Sequence, residues 1–135
     1  QAFQRIARSR AFRSLVCSTY DQRCAMCGGG LVNAVGRSEV EAAHIIGRGA
    51  KGADDVRNGL ALCRAHHWAF DQGMVCVNPN HHVEVKLGAL ALANNQSLQA
   101  INGKPLRAPA NVSFSAHPDA LAWHRTHVFG TTEFT

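Results

Sequence analysis

Apolar residues in the first twenty positions recur near helical spacing. Phe3, Ile6, Ala7, Phe12, Leu15 and Val16 predict a helix over residues 3–20. Arg5, Arg8, Arg10 and Arg13 are interspersed among them, as a solvated face or as a basic strip suited to a phosphate backbone. A polar turn, Tyr20-Asp21-Gln22-Arg23, leads into Cys24-Ala-Met-Cys27 and three glycines, and residues 31–36 form a short apolar segment. Val40 to Ile46 reads as a strand carrying His44 at its end, followed by a glycine-rich loop over 47–55. Leu60 to Cys63 reads as a second short strand, and Arg64 to Gln72 as a helix stopped by Gly73. Residues 74–77 and 83–87 flank Asn78-Pro-Asn-His-His and predict a β-hairpin. Residues 89–101 fit helix, or strand plus turn, equally well. Asn102-Gly103 marks a turn, Pro105 and Pro109 lie in a loop, and residues 118–127 predict a closing helix with proline in its first turn. The pattern is that of an α+β fold.

Composition adds limits. The 135 residues, 46% of them apolar, suit one domain with an ordinary core. No run of about 18 apolar residues is present, which argues against a membrane span. No secretory leader pattern opens the chain. The chain begins without Met in what reads as mid-helix, so a piece of a longer protein is expected. A net charge of +5 suggests an anionic partner such as nucleic acid. The cysteines are five, an odd number that includes a C-x2-C pair. That count argues for metal binding in a reducing compartment, the cytoplasm, over a disulfide framework. Cys17 and Cys76 have apolar neighbours and read as buried small hydrophobes.

Cys24-x2-Cys27 and Cys63-x2-His66 are two matched pairs. Zinc takes four soft or borderline ligands in a tetrahedron, and two knuckles can supply them. The 35 residues between the pairs leave room for an inserted ββα unit. A structural zinc site of type CCCH is therefore expected.

Between and beside these pairs lie His44 at a strand end, Asn58 before the next strand and His67 on the helix. With AAHI ending at residue 45, NGLALC at 58–63 and HHWAFDQG at 66–73, and with spacings of 14 and 9, this stretch resembles the HNH endonuclease family. The cysteines are similar to those of its zinc-containing, McrA-like branch of bacterial modification-dependent restriction enzymes. The likeness covers about residues 20–75. It implies a ββα-metal core flanked by an N-terminal helix, a following hairpin and a C-terminal helix. It implies His44 as general base, Asn58 as the residue orienting the His44 loop or touching metal, and a metal residue at His67. It also implies cleavage of double-stranded DNA with a divalent cation such as Mg, Mn, Co or Ni, in the bacterial cytoplasm.

His67 and Asp71 are i and i+4 on one helix face and are candidates for the same cation. The position before the general base, an acid or His in much of the family, is Ala43 here. Either His67 and Asp71 hold the cation alone, or Glu41, on the same strand face as Ala43, substitutes. His66 and His67 diverge by about 100° on a helix, so one can face zinc and the other the catalytic cation. Arg48, Lys51 and Arg57 fall between His44 and Asn58, and Arg64 opens the helix; these are expected to grip the DNA backbone. His81-His82 and His124-x2-His127 read as surface loop and helix residues. Alternatives are a zinc-stabilised DNA-binding module without catalysis, a toxin-type nuclease, and an RNase. One active site per chain implies nicking, with a homodimer required for a concerted double-strand cut.

Overall fold

The computed structural model describes residues 2–131. The chain runs α1 (Ala2–Thr19), β1 (Glu41–His44), β2 (Gly59–Leu62), α2 (Arg64–Asp71), β3 (Val75–Val77), β4 (Val83–Val85), α3 (Leu87–Leu90), α4 (Gln96–Gln99) and α5 (Pro118–His124). This is the expected α+β arrangement. Among the described residues no helix is long and apolar enough to cross a membrane.

Two antiparallel hairpins form the sheet structure. In β1–β2, Glu41 faces Leu62 and His44 faces Gly59. In β3–β4, Val75 faces Val85. Helix α1 lies across the first hairpin and buries Phe12 and Val16 on it. That approach requires Gly59: a Cβ there would stand 2.6 Å from Val16 Cγ2 and 2.9 Å from Phe12 Cζ. Helix α2 follows β2 directly, with Cys63 as its N-cap residue. The buried cluster draws on both hairpins and all five helices.

Residues 31–36 are an exposed excursion. Val32 bridges Ser38, and the Asn33 side chain accepts from the amides of Val35 and Arg37 to close the turn. Residues 89–101 are helical turns, stapled by Asn95 Nδ2 donating to Ala89 O and Gln99 Nε2 to Leu90 O. The tail then returns over the molecule. Its Arg107 amide donates to Ala25 O, and its His117 amide to Arg57 O. Helix α5 ends in one wide π turn, Arg125–Phe129.

His124 corrects the expectation of a surface residue. It is 2% exposed, stacks on Phe70 with ring centroids 3.6 Å apart, and donates from Nε2 to Phe70 O at 2.9 Å. Burial pushes its pKa down to about 4, so it sits in the core as a neutral ring. The amphipathic pattern of α5 marks a buried face, but not that an imidazole would find an aromatic ring and a carbonyl within it.

Candidate active site and zinc knot

The two cysteine pairs meet. Ligand atoms of Cys24, Cys27, Cys63 and His66 all lie within 4.8 Å of one another. The knuckle is shaped by Gly28, at φ 73°, whose amide donates to Cys24 O, and by the Gly29 amide directed at Cys27 Sγ at 3.4 Å. Ala25 N bonds Ala61 O, which seats the knuckle against β2. Across from it, His66 Nδ1 is 3.3 Å from Cys63 Sγ and 3.7 Å from Cys24 Sγ. Metal–sulfur bonds of about 2.3 Å in a tetrahedron give ligand–ligand edges of about 3.8 Å, so the donor set fits zinc. The outer nitrogen of His66 faces Ser97 O at 3.1 Å, a contact that orients the ring. The electrostatics agree. A hydrogen bond from Cys63 pulls the Cys24 thiol down, while that same bond pushes Cys63 up and burial pushes Cys27 up. Only a cation lets three crowded sulfurs carry charge together.

His44 stands at the end of β1, with its ring stacked on Phe12 at 4.2 Å between centroids. Its Nε2 is 2.7 Å from Asp54 Oδ1. Arg48 Nη2 lies 3.2 Å from each Asp54 oxygen, and hydrogen bonding, from His44 foremost, holds the Asp54 carboxyl below its usual range. Asp54 was not among the sequence-derived candidates. Asn58, 7% exposed, clamps the loop: its Oδ1 accepts from Ile46 N, and its Nδ2 donates to Ile46 O and Ala53 O. The loop also needs Gly52, where a Cβ would stand 1.7 Å from Ile46 O.

About 100° of helix rotation separates the two adjacent histidines on α2, as expected, with His66 buried toward the Cys24, Cys27 and Cys63 sulfurs. His67 Nδ1 is 2.9 Å from Glu41 Oε1, and its Nε2 is 3.2 Å from Asp71 Oδ2. The hydrogen bond to Asp71, followed by that to Glu41, raises the His67 pKa to about 9 against the effect of burial. The two carboxylates approach opposite ring nitrogens, so the three groups do not converge on one point. Among the described residues the zinc set is the one convergent cluster.

A cleft of about 510 Å³ is lined by His44, Arg48, His67, Asp71, Trp123 and His124, among others. It joins the general-base candidate to the His67–Asp71 pair. Arg48 is therefore at the cleft. Arg64 stands outside it, its Nε 3.8 Å from Glu41 Oε2. Lys51 and Arg57 line a separate depression with Asp55, Asn58, His117 and Asp119. Arg57 there donates from Nε to Ser115 O.

Residues 24–78 match the model of a family described as HNH endonuclease. This segment, less than half of the chain, is similar to the HNH endonuclease family. Among solved structures the chain is similar to the modification-dependent TagI restriction endonuclease, with a TM-score of 0.70 and 25% identity, over 87% of this chain and 37% of that one. The chain thus spans well under half the length of that relative. A comparison with curated protein sequences finds no match. The HNH match contains every candidate from Cys24 to Asp71, whereas α1 and the tail lie outside it.

Proposed function

We propose that the chain is the cleavage module of a metal-dependent DNA endonuclease. The observation that carries this is the shared cleft, with His44 facing the same concavity as His67 and Asp71. In this reading His44 Nε2–H donates to Asp54, which leaves the Nδ1 lone pair free to accept a proton from water. The water oxygen attacks phosphorus, its proton passes to His44, and the phosphorus bond to the leaving oxygen breaks. Asn58 keeps the 46–53 loop, and with it Asp54, at a fixed distance from the histidine. Arg48 presents a guanidinium at the cleft for the phosphate.

His67 and Asp71 would hold the catalytic cation on the His44 side. Glu41 then accepts from the opposite nitrogen of His67 and orients the ring, as carboxylates commonly do behind a metal-bound histidine. A divalent cation such as Mg, Mn, Co or Ni held there supplies charge neutralisation at the phosphate and the leaving oxygen. His67 must lose a proton to ligate, so cation binding strengthens as pH rises toward 9. Zinc at Cys24, Cys27, Cys63 and His66 is structural in this account.

The likeness to a restriction endonuclease supports double-stranded DNA as substrate and restriction in the bacterial cytoplasm as the setting. One cleft serves one strand, and a second copy of the chain would cut the other. The test is nicking of supercoiled plasmid, unmodified and base-modified, by zinc-loaded protein across Mg, Mn, Co and Ni. Cation-dependent nicking that falls at least about 100-fold in folded His44→Ala is expected. DNA binding without cleavage under every cation would favour the non-catalytic binding module instead.

A further inference from the structure

The expectation that Lys51 and Arg57 grip DNA rested on their closeness to His44 in sequence. Space arranges the cations differently. On α1, residues 10, 13, 14 and 17 follow i, i+3, i+4, i+7 spacing and form one stripe, turned away from buried Phe12 and Val16. That stripe is one wall of a groove of about 750 Å³. Arg10 and Arg13 project from it, and Arg37, at the end of the exposed 33–37 turn, lines the groove with them. The groove ends at Ala42 and His67, and both residues also line the His44 cleft. The two concavities therefore adjoin at the residue proposed to hold the catalytic cation, Glu41 on the groove side of its ring and Asp71 on the cleft side.

From this, resting on the nuclease reading above, we propose that the groove is the track of one DNA backbone toward the cleavage site, with Arg10, Arg13 and Arg37 as its phosphate contacts. Charge favours this occupant. Among the described residues no carboxylate pairs with any of the three guanidinium groups, and Arg13 makes only a 3.4 Å bond to Ser9 Oγ. Arg48 and Arg64, by contrast, are engaged by Asp54 and Glu41. Among the described residues Glu41 is the one acidic residue lining the groove, and it is held by His67. A polyanion laid there meets unneutralised cations and releases its counterions on binding. The depression holding Lys51 and Arg57 shares no lining residue with the groove or the cleft. The backbone should therefore run along α1 and leave the 51–57 side free.

The experiment compares two variants in a His44→Ala background, which prevents cleavage. One carries Arg10→Ala, Arg13→Ala and Arg37→Ala; the other carries Lys51→Ala and Arg57→Ala. Affinity for a short DNA duplex is read by fluorescence anisotropy between about 50 and 200 mM salt. The triple variant should weaken binding more than about tenfold and reduce the magnitude of the log–log salt slope by about 2 to 3, near 0.9 per lost phosphate contact. The Lys51/Arg57 variant should match its parent within about twofold. Lysine at all three arginine positions should restore the slope, which separates charge from any effect on folding. An unchanged slope in the triple variant, or a loss carried by Lys51 and Arg57, overturns the track while plasmid nicking by the wild type leaves the nuclease reading standing. If the wild type neither binds nor nicks DNA, both fall.

Discussion

Asp54 stands ten residues beyond His44 in a glycine-rich loop, and nothing in its neighbourhood of sequence pairs the two. The fold closes that gap to 2.7 Å and brings Arg48 against both oxygens of the same carboxylate. An acceptor at Nε2 selects the tautomer whose Nδ1 is basic, and it stabilises the ring once protonated. Asp54→Asn would keep a polar partner of the same shape but lose the charge and blur the tautomer choice. A positioned base contributes about 10²–10⁴-fold, so losing its orienting charge should cost roughly 10–100-fold in kcat with KM little changed. Plasmid nicking kinetics of Asp54→Asn beside wild type test this. An unchanged kcat in folded Asp54→Asn protein would make Asp54 only a brace for the loop.

Between elements, the critical contact is α1 on the first hairpin. His44 and Gly59 are opposite one another in the register, and the missing side chain at 59 lets Phe12 settle over the strands. Phe12 then serves as the surface on which the His44 ring stacks. Gly59→Ala should push Phe12 and Val16 outward, costing about 1–3 kcal/mol of stability as overpacking does. Cleavage should fall as well, because His44, the proposed base, loses its support. Urea unfolding alongside nicking rates checks both; an unchanged midpoint would show that α1 has slack the packing does not suggest. The Asn58-Gly59 pair, which by sequence alone also fits a simple turn, thus has two distinct tasks. The amide fastens the loop and the glycine admits the helix.

At the scale of the molecule, the cluster of Cys24, Cys27, Cys63 and His66, the proposed zinc site, joins parts that otherwise share little. It ties the 24–27 knuckle, seated on β2 and capped by the returning tail at Arg107, to the first turn of α2. Since α2 also carries His67 and Asp71, holding its N-terminus holds the cleft. Structural zinc is worth about 10–16 kcal/mol in small domains, comparable with the whole stability of a typical fold. Stripping zinc with a strong chelator, or Cys63→Ser, should therefore unfold the HNH segment and abolish nicking even with Mg or Mn in excess. Near-UV circular dichroism with metal analysis is the readout. Retention of both folded signal and metal content in Cys63→Ser would disprove the ligand assignment.

Local chemistry sufficed for much of this protein. The paired x2 spacings named all four residues of the cluster that could hold a metal ion because a knuckle is a short-range object: two residues set its geometry wherever the chain takes it. The helical separation of His66 from His67 follows equally from 100° per residue and needs no partner. The i, i+4 relation of His67 and Asp71 is local in the same way. What the tertiary structure decided are encounters between segments. Asp54 reaches His44 through a loop whose path depends on Asn58 and Gly52, not on any periodicity. Glu41 meets His67 because α2 packs across β1, and the two carboxylates then divide its nitrogens instead of converging. His124 entered the core because Phe70 offered a ring and a carbonyl. Arg10, Arg13 and Arg37 came to share one groove, and Lys51 and Arg57 left the cleft, because proximity along a chain does not set the side of a hairpin on which a side chain emerges.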